Sequence, residues 1–478
     1  NPTTSVAVSS VTAMIRGAAS PTAVRLNEAD ASIAANAVWS FTGIDSTLVA
    51  FDTVSKSYTL SASGVSLGAG AQLTFASTTT SVSGASLSAS SVLAMVYVGG
   101  TLSFGASSSF VIDSNTFDMA VPATSNMQSG LVLAANSAAL SMPALATWRM
   151  VDNTLTSQPS AAPLSLFLVR LLSTAVTVQG QFVVQRNQLY KGPSVAAAGS
   201  TIVGVDMSAC VVTVTGSAAA FLLVENRIHG VLDTADGSGA AFWPQQFHVL
   251  DGPSVTIGGG STSFQVAADT SKFVGFLRVT NTLNLVDSVM AVANETLSVS
   301  SPAGKMMGSS AAFQCRQFLA SGSSRGTLRL TGLRWTISAS ISCSGSPVHA
   351  AVLFEQDAQQ LATIQFDNSS LTYQPTLASG SCGTVAGVGF FGDASSGFPS
   401  LRVTTTTVQV AADVTGAQVY GFLLAAGATS ATFNNPLIFE SGTVISVSQS
   451  VGTVYGVALL PTMVLVTIAA GVDFSASI

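Results

Sequence analysis

The sequence has 478 residues, of which 48% are hydrophobic and only 8% charged, with Lys+Arg 16 against Asp+Glu 22. So few cations and a pI near 4.9 argue against a protein that tracks nucleic-acid phosphates, and a net charge of only −6 on so apolar a chain argues against disorder. A mean hydropathy of +0.53 would suit a membrane protein, yet the most apolar stretch, 454–470, contains Gly456, Pro461, Thr462 and Thr467 and makes no spanning helix.

The chain opens at Asn1 without a basic-then-apolar leader, as a processed or excised chain would. Short runs then alternate apolar with polar residues: TLSF at 101–104, AVTVQG at 175–180, CVVTVTG at 210–216, SVTIGG at 254–259 and TLRLTG at 327–332. That period of two, rich in Val, Thr, Phe and Ile, predicts half-buried strands. Clusters of Gly, Ser and Ala between them predict turns.

Four nonapeptides align without gaps: SFVIDSNTF (109–117), TWRMVDNTL (147–155), QFVVQRNQL (181–189) and AFLLVENRI (220–228). Their asparagines, Asn115, Asn153, Asn187 and Asn226, are 38, 34 and 39 residues apart. A second series places a small residue in short apolar strands at Gly204, Gly275, Gly387, Gly421 and Gly456. Admitting Ala and Ser extends it through Ala13, Ala50, Ala94, Gly130, Ser165, Ala241, Ala312 and Ala351, thirteen positions with a mean period near 37.

Each unit is thus expected to hold about three short strands, with no intervening helix. Strands recurring in register without hairpin turns suit an all-β, parallel β-helix solenoid of about 13 coils of roughly 37 residues, a rod about 60 Å long at the spacing of paired strands. Crossover preference makes it right-handed. Two coils of about 18 residues per repeat are the alternative. The whole of 1–478 reads as one domain whose ends both stop partway through a coil, which points to end-to-end self-association or to a longer parent chain. Within such a solenoid, Asn115, Asn153, Asn187 and Asn226 would form an internal amide ladder, and Phe110, Trp148, Phe182 and Phe221 an aromatic stack.

Chemistry is sparser. Asp152, Arg186 and Glu225, each preceding a ladder asparagine, would share one column as acid, base, acid; this suits a charge-compensated surface better than a carboxylate pair for sugar hydrolysis. His229, His248 and His349 are expected as isolated loop histidines. Asp233, Asp236 and Gly237 lack the further ligands of a calcium loop, and Gly258–Gly260 lacks the lysine of a phosphate loop. The G-x-S-x-G strings at 64–68 and 322–326 lead into no helix and read as strand ends or turns. No cofactor or metal is expected. Cys343 and Cys382 lie one period apart, close enough on stacked coils for a disulfide, whereas Cys210 and Cys315 read as small buried hydrophobes. Asn294 and Asn368 begin N-glycosylation sequons.

The Asn-terminated strands VIDSNTF, VVQRNQL and LLVENRI, set among Val, Ser, Thr and Ala, resemble the large repetitive surface proteins of kinetoplastid protists, of the dispersed gene family type. The resemblance implies a long, glycosylated, β-helical surface molecule with an adhesive role and membrane helices near the C-terminus, which this sequence lacks. In general architecture the chain also looks like bacterial β-helix adhesins. The expected function is therefore an extracellular, non-enzymatic structural or adhesive element of a cell surface or surface filament. Its partners would be copies of itself, surface glycans or host proteins, with no nucleic acid. The alternative is a polysaccharide-acting β-helix enzyme, a lyase or glycoside hydrolase.

Overall fold

A computed structural model describes residues 5–17, 22–26, 31–50, 56–84, 92–120, 127–134, 139–157, 164–193, 201–233, 237–302, 306–319, 326–342, 348–355, 362–379, 383–392, 399–414, 417–426, 432–433, 436–449, 453–459, 462–463, 466–468 and 473–477. Among them there is no helix, and none long and apolar enough to cross a membrane. The chain divides into two compact units, Asn1–Gln245 and Gln246–Ile478. Each is a parallel β-solenoid.

One turn of the first unit runs Ser109–Asp113, Thr116–Ala120, Met127–Ala134 and Leu140–Met142. Thr147–Val151 then lies parallel to Ser109–Asp113, with Phe110 opposite Trp148 and Ile112 opposite Met150. In the second unit Leu328, Ile364, Leu401 and Leu437 stand opposite one another on successive turns. Each strand therefore pairs with the strand one whole repeat away, about 36 residues on average, which excludes two coils per repeat. The turn holds four strands rather than three. The additional, fourth one is Thr116–Ala120, which begins immediately after the ladder asparagine, and a two-residue corner is too short to read as a break in the sequence.

Alternation along these strands sorts the side chains. In Gln181–Gln185, Phe182 and Val184 are fully buried while their neighbours face outward. Parallel register then stacks like upon like, so each interior column is continuous from turn to turn. Burying one such aromatic or aliphatic side chain contributes about 1.5–3 kcal/mol.

The corner before the fourth strand has a fixed conformation. Ser114, Asp152, Arg186 and Glu225 have φ between 52° and 59°, as do Asn294 and Asn368 at 53° and 45° in the second unit. Left-handed backbone costs a non-glycine residue about 1–2 kcal/mol. Here it aims the next residue inward while the corner amides still bond across turns, Ser114 to Val151 O at 3.0 Å and Asp152 to Gln185 O at 3.1 Å.

The small-residue series holds in one part and fails in another. Gly387, Gly421 and Gly456 share a column where a Cβ on Gly421 would meet Gly456 O at 2.5 Å and Ile445 Cγ2 at 2.3 Å. Gly204 similarly lies against Ala241 O. Nearer the N-terminus the registered neighbours put Leu168, Leu131 and Met95 in the Gly204 column. Ala94 and Gly130 stand one residue earlier, Ser165 is opposite Gln128, and Ala13 and Ala50 belong to a different run of paired strands, opposite Ser46 and Gly84. Alanine and serine are too common in this chain to mark a register.

Candidate functional site

The asparagines predicted as a ladder stand one per turn at the corner of the first unit. Asn115 Nδ2 donates to Asn153 Oδ1 at 2.8 Å, Asn153 Nδ2 to Asn187 Oδ1 at 2.8 Å, and Asn187 Nδ2 to Asn226 Oδ1 at 3.1 Å. Each of these oxygens also accepts the backbone N–H of the asparagine one turn earlier, at 3.0 Å. The amides further donate to strand carbonyls, Asn153 to Ile112 O and Val151 O, Asn187 to Met150 O and Gln185 O. A corner that would otherwise bury unpaired backbone groups is thereby satisfied. Behind it, Phe110, Trp148, Phe182 and Phe221 are fully buried with ring centroids 5.3, 5.4 and 5.0 Å apart.

Immediately outside the ladder lies the charged column. Arg186 grips Asp152 through Nε at 2.7 Å and Nη2 at 2.8 Å, and its Nη1 lies 3.8 Å from Glu225. The hydrogen bond from Arg186 holds the Asp152 carboxyl below its ordinary range. A carboxyl so held is ionised at neutral pH and unsuited to donate a proton. The column joins three successive turns instead.

The second unit replaces asparagine at the same corner position. Glu295, 2% exposed, accepts Gly260 N–H at 3.0 Å and Thr262 Oγ1–H at 2.9 Å. Burial pushes its carboxyl up to about 7 against the lowering pull of those two hydrogen bonds. On later turns Ser369 accepts Leu333 N–H and donates to Asp367 O, and Thr406 and Thr443 cap Thr404 O and Val403 O. Asn294 and Asn368, the sequon residues, occupy the exposed left-handed corner, two turns apart with Gly332 between them.

The chain matches no family model, no curated protein and no solved structure. What it can do chemically rests on its own side chains.

The histidines lie on strands, not in loops, because their neighbours continue the alternation into the sheet. His229 is exposed and stacks on Tyr190 with centroids 5.2 Å apart; His248 is half-buried, 3.1 Å from Gln246 Oε1; His349 is buried, which lowers its pKa and keeps it neutral. Asp233 faces Lys191, whose Nζ lies 3.4 Å from its carboxylate and donates to Val231 O at 3.0 Å. Burial lowers the Lys191 pKa while Asp233 opposes it. Nothing in the spacing of the sequence marked this buried lysine or Glu295; only the register exposes them. Asp236 lies outside the described residues, among which no three metal-ligating side chains converge.

Cys210 and Cys315 are buried free thiols, and Cys315 stands opposite Phe354. Burial pushes the Cys210 thiol up to about 12, which makes it inert. Cys343 and Cys382 lie outside the described residues. Concavities indent the described surface in each unit. One, of about 620 Å³, lies beside Tyr58, Tyr97 and Arg25 in the first unit; another, of about 420 Å³, lies across Arg329, Gln365, Arg402 and Glu440 in the second.

Proposed function

We propose that the chain is an extracellular structural or adhesive β-solenoid of a cell surface or surface filament, without catalytic activity of its own, able to associate end to end. The observation that carries this reading is the corner itself. Its polar side chains are spent on joining turn to turn, the Asn115–Asn226 ladder within and the Asp152–Arg186–Glu225 column outside. A solenoid of this kind gains by stacking further turns, because each added strand pairs a row of backbone groups. Exposed sequon asparagines at the corner suit a glycosylated surface protein, in keeping with the resemblance to kinetoplastid repetitive surface proteins.

Sedimentation velocity across a wide concentration range tests the proposal. Growth of the sedimenting species with concentration is the expected result. A chain that stays monomeric and monodisperse at high concentration would contradict the assembly. Release of new reducing ends from a panel of polysaccharides would contradict the non-enzymatic part and favour a lyase or glycoside hydrolase.

A further inference from the structure

The geometry points to a carboxylated-sugar binding cleft on the outer face of the unit Gln246–Ile478, with Arg329 as partner of the carboxylate and Asp367 as acceptor for a neighbouring hydroxyl. Parallel register builds it. Arg329, Gln365 and Arg402 stand opposite one another on three successive turns, and beside them run Thr331, Asp367 and Thr404. Glu440, one turn further, closes the cleft of about 420 Å³ that all seven line. That volume lies within the range of about 300–1,000 Å³ typical of small-ligand sites. Strands about 4.8 Å apart put Arg329 and Arg402 about 10 Å from each other along the stack.

The charges in the cleft are not equivalent. Arg402 Nη2 donates to Glu440 Oε1 at 2.6 Å, and Thr404 Oγ1 donates to Glu440 Oε2 at 2.7 Å. Glu440 is therefore a positioning residue that fixes one arginine and one threonine. Among the described residues Arg329 makes one side-chain hydrogen bond, from Nε to Gln365 Oε1 at 3.3 Å, and neither its guanidinium nor the Asp367 carboxylate has an ionic partner. An unmatched planar donor fork and an unmatched acceptor thus share one recess without closing on each other.

A simple anion would satisfy Arg329 and be repelled by Asp367; a simple cation would meet the reverse. A molecule carrying a carboxylate with hydroxyls adjacent to it satisfies both. Arginine binds a carboxylate through two parallel hydrogen bonds, and an ionised aspartate accepts strongly from hydroxyls. Gln365, lying between them in the column, can donate through its amide to a further ring or hydroxyl oxygen. Uronic acid units of a linear polysaccharide present these groups at every residue, along the direction in which the cleft crosses the turns. The site does not depend on whether the protein assembles.

Isothermal titration calorimetry of the full chain with trigalacturonate, against maltotriose as the neutral sugar, tests the cleft. Saturable binding of trigalacturonate with maltotriose at least tenfold weaker is expected. Arg329→Gln should weaken trigalacturonate binding about tenfold or more, the loss of a charge-assisted pair, and Arg329→Lys should fall between the two. Asp367→Asn should weaken it as well, while Asp152→Asn, in the other unit, should leave it unchanged. Equal binding of both sugars, no binding of trigalacturonate, or full binding by folded Arg329→Gln and Arg329→Lys chains would overturn the assignment. Because the readout is binding alone, its failure leaves the assembly and catalysis experiments untouched.

Discussion

Asn153 shows how one side chain supports a turn. It accepts from the Asn115 backbone and amide and donates to Ile112 O, Val151 O and Asn187 Oδ1, all in the interior. Asn153→Leu fills the space but leaves the Asn115 backbone N–H without its acceptor and takes a donor from Ile112 O and Asn187 Oδ1, while Val151 O keeps the Ser114 N–H; each buried group left unpaired costs about 1–3 kcal/mol. We expect a loss of at least about 3 kcal/mol in urea unfolding; a loss below about 1 kcal/mol would mean the ladder is incidental. Glu295 occupies the equivalent corner with a group that titrates. Its folded-state pKa of about 7 lies above the ordinary 4.5, so the folded chain retains a proton that the unfolded chain releases between those values. The stabilisation is full below the ordinary value and is lost as pH rises through about 7, at most about 3 kcal/mol. Glu295→Gln should remove that part of the decline in urea midpoint between pH 5 and pH 8. An unchanged pH slope in the variant would show that Glu295 is ionised throughout.

At the scale of strands, the glycine column and the aromatic stack make opposite demands on volume. Gly421 lets two turns approach where any Cβ would meet Gly456 O and Ile445, so Gly421→Val should lower the melting temperature sharply. A variant melting within a degree or two of the parent would contradict that crowding. Trp148 is wholly buried between Phe110 and Phe182, and Trp148→Ala should cost about 3–5 kcal/mol in the same urea measurement. These elements also mark what was legible beforehand. The nonapeptides carry aromatic and asparagine residues that few others replace in such a column, so their alignment and the strand register coincide: Phe110, Trp148, Phe182 and Phe221 stand opposite one another. The fourth strand was hidden by its two-residue corner. The N-terminal small-residue series drifted because Leu168, Leu131 and Met95 fill the column that Gly204 occupies later. In the second unit Glu295, Ser369, Thr406 and Thr443 do the corner's work with different chemistry, so no repeated letter announced the register that lines up Arg329, Gln365 and Arg402.

At the scale of the whole molecule, the low charge and the small side chains have one physical cause. Every turn must bury an apolar interior while laying Ser and Thr on flat outer sheets, so charged residues are few, among them those of the Asp152–Arg186–Glu225 corner and the Arg329–Arg402 face. A protein made this way gains stability by adding turns, and the same edges that pair within the chain can pair between chains. Electron microscopy of the concentrated, undissociated protein tests that claim most directly. Continuous fibres in which successive layers about 4.8 Å apart stack along the fibre axis are expected. Discrete particles that remain single at every concentration would contradict it.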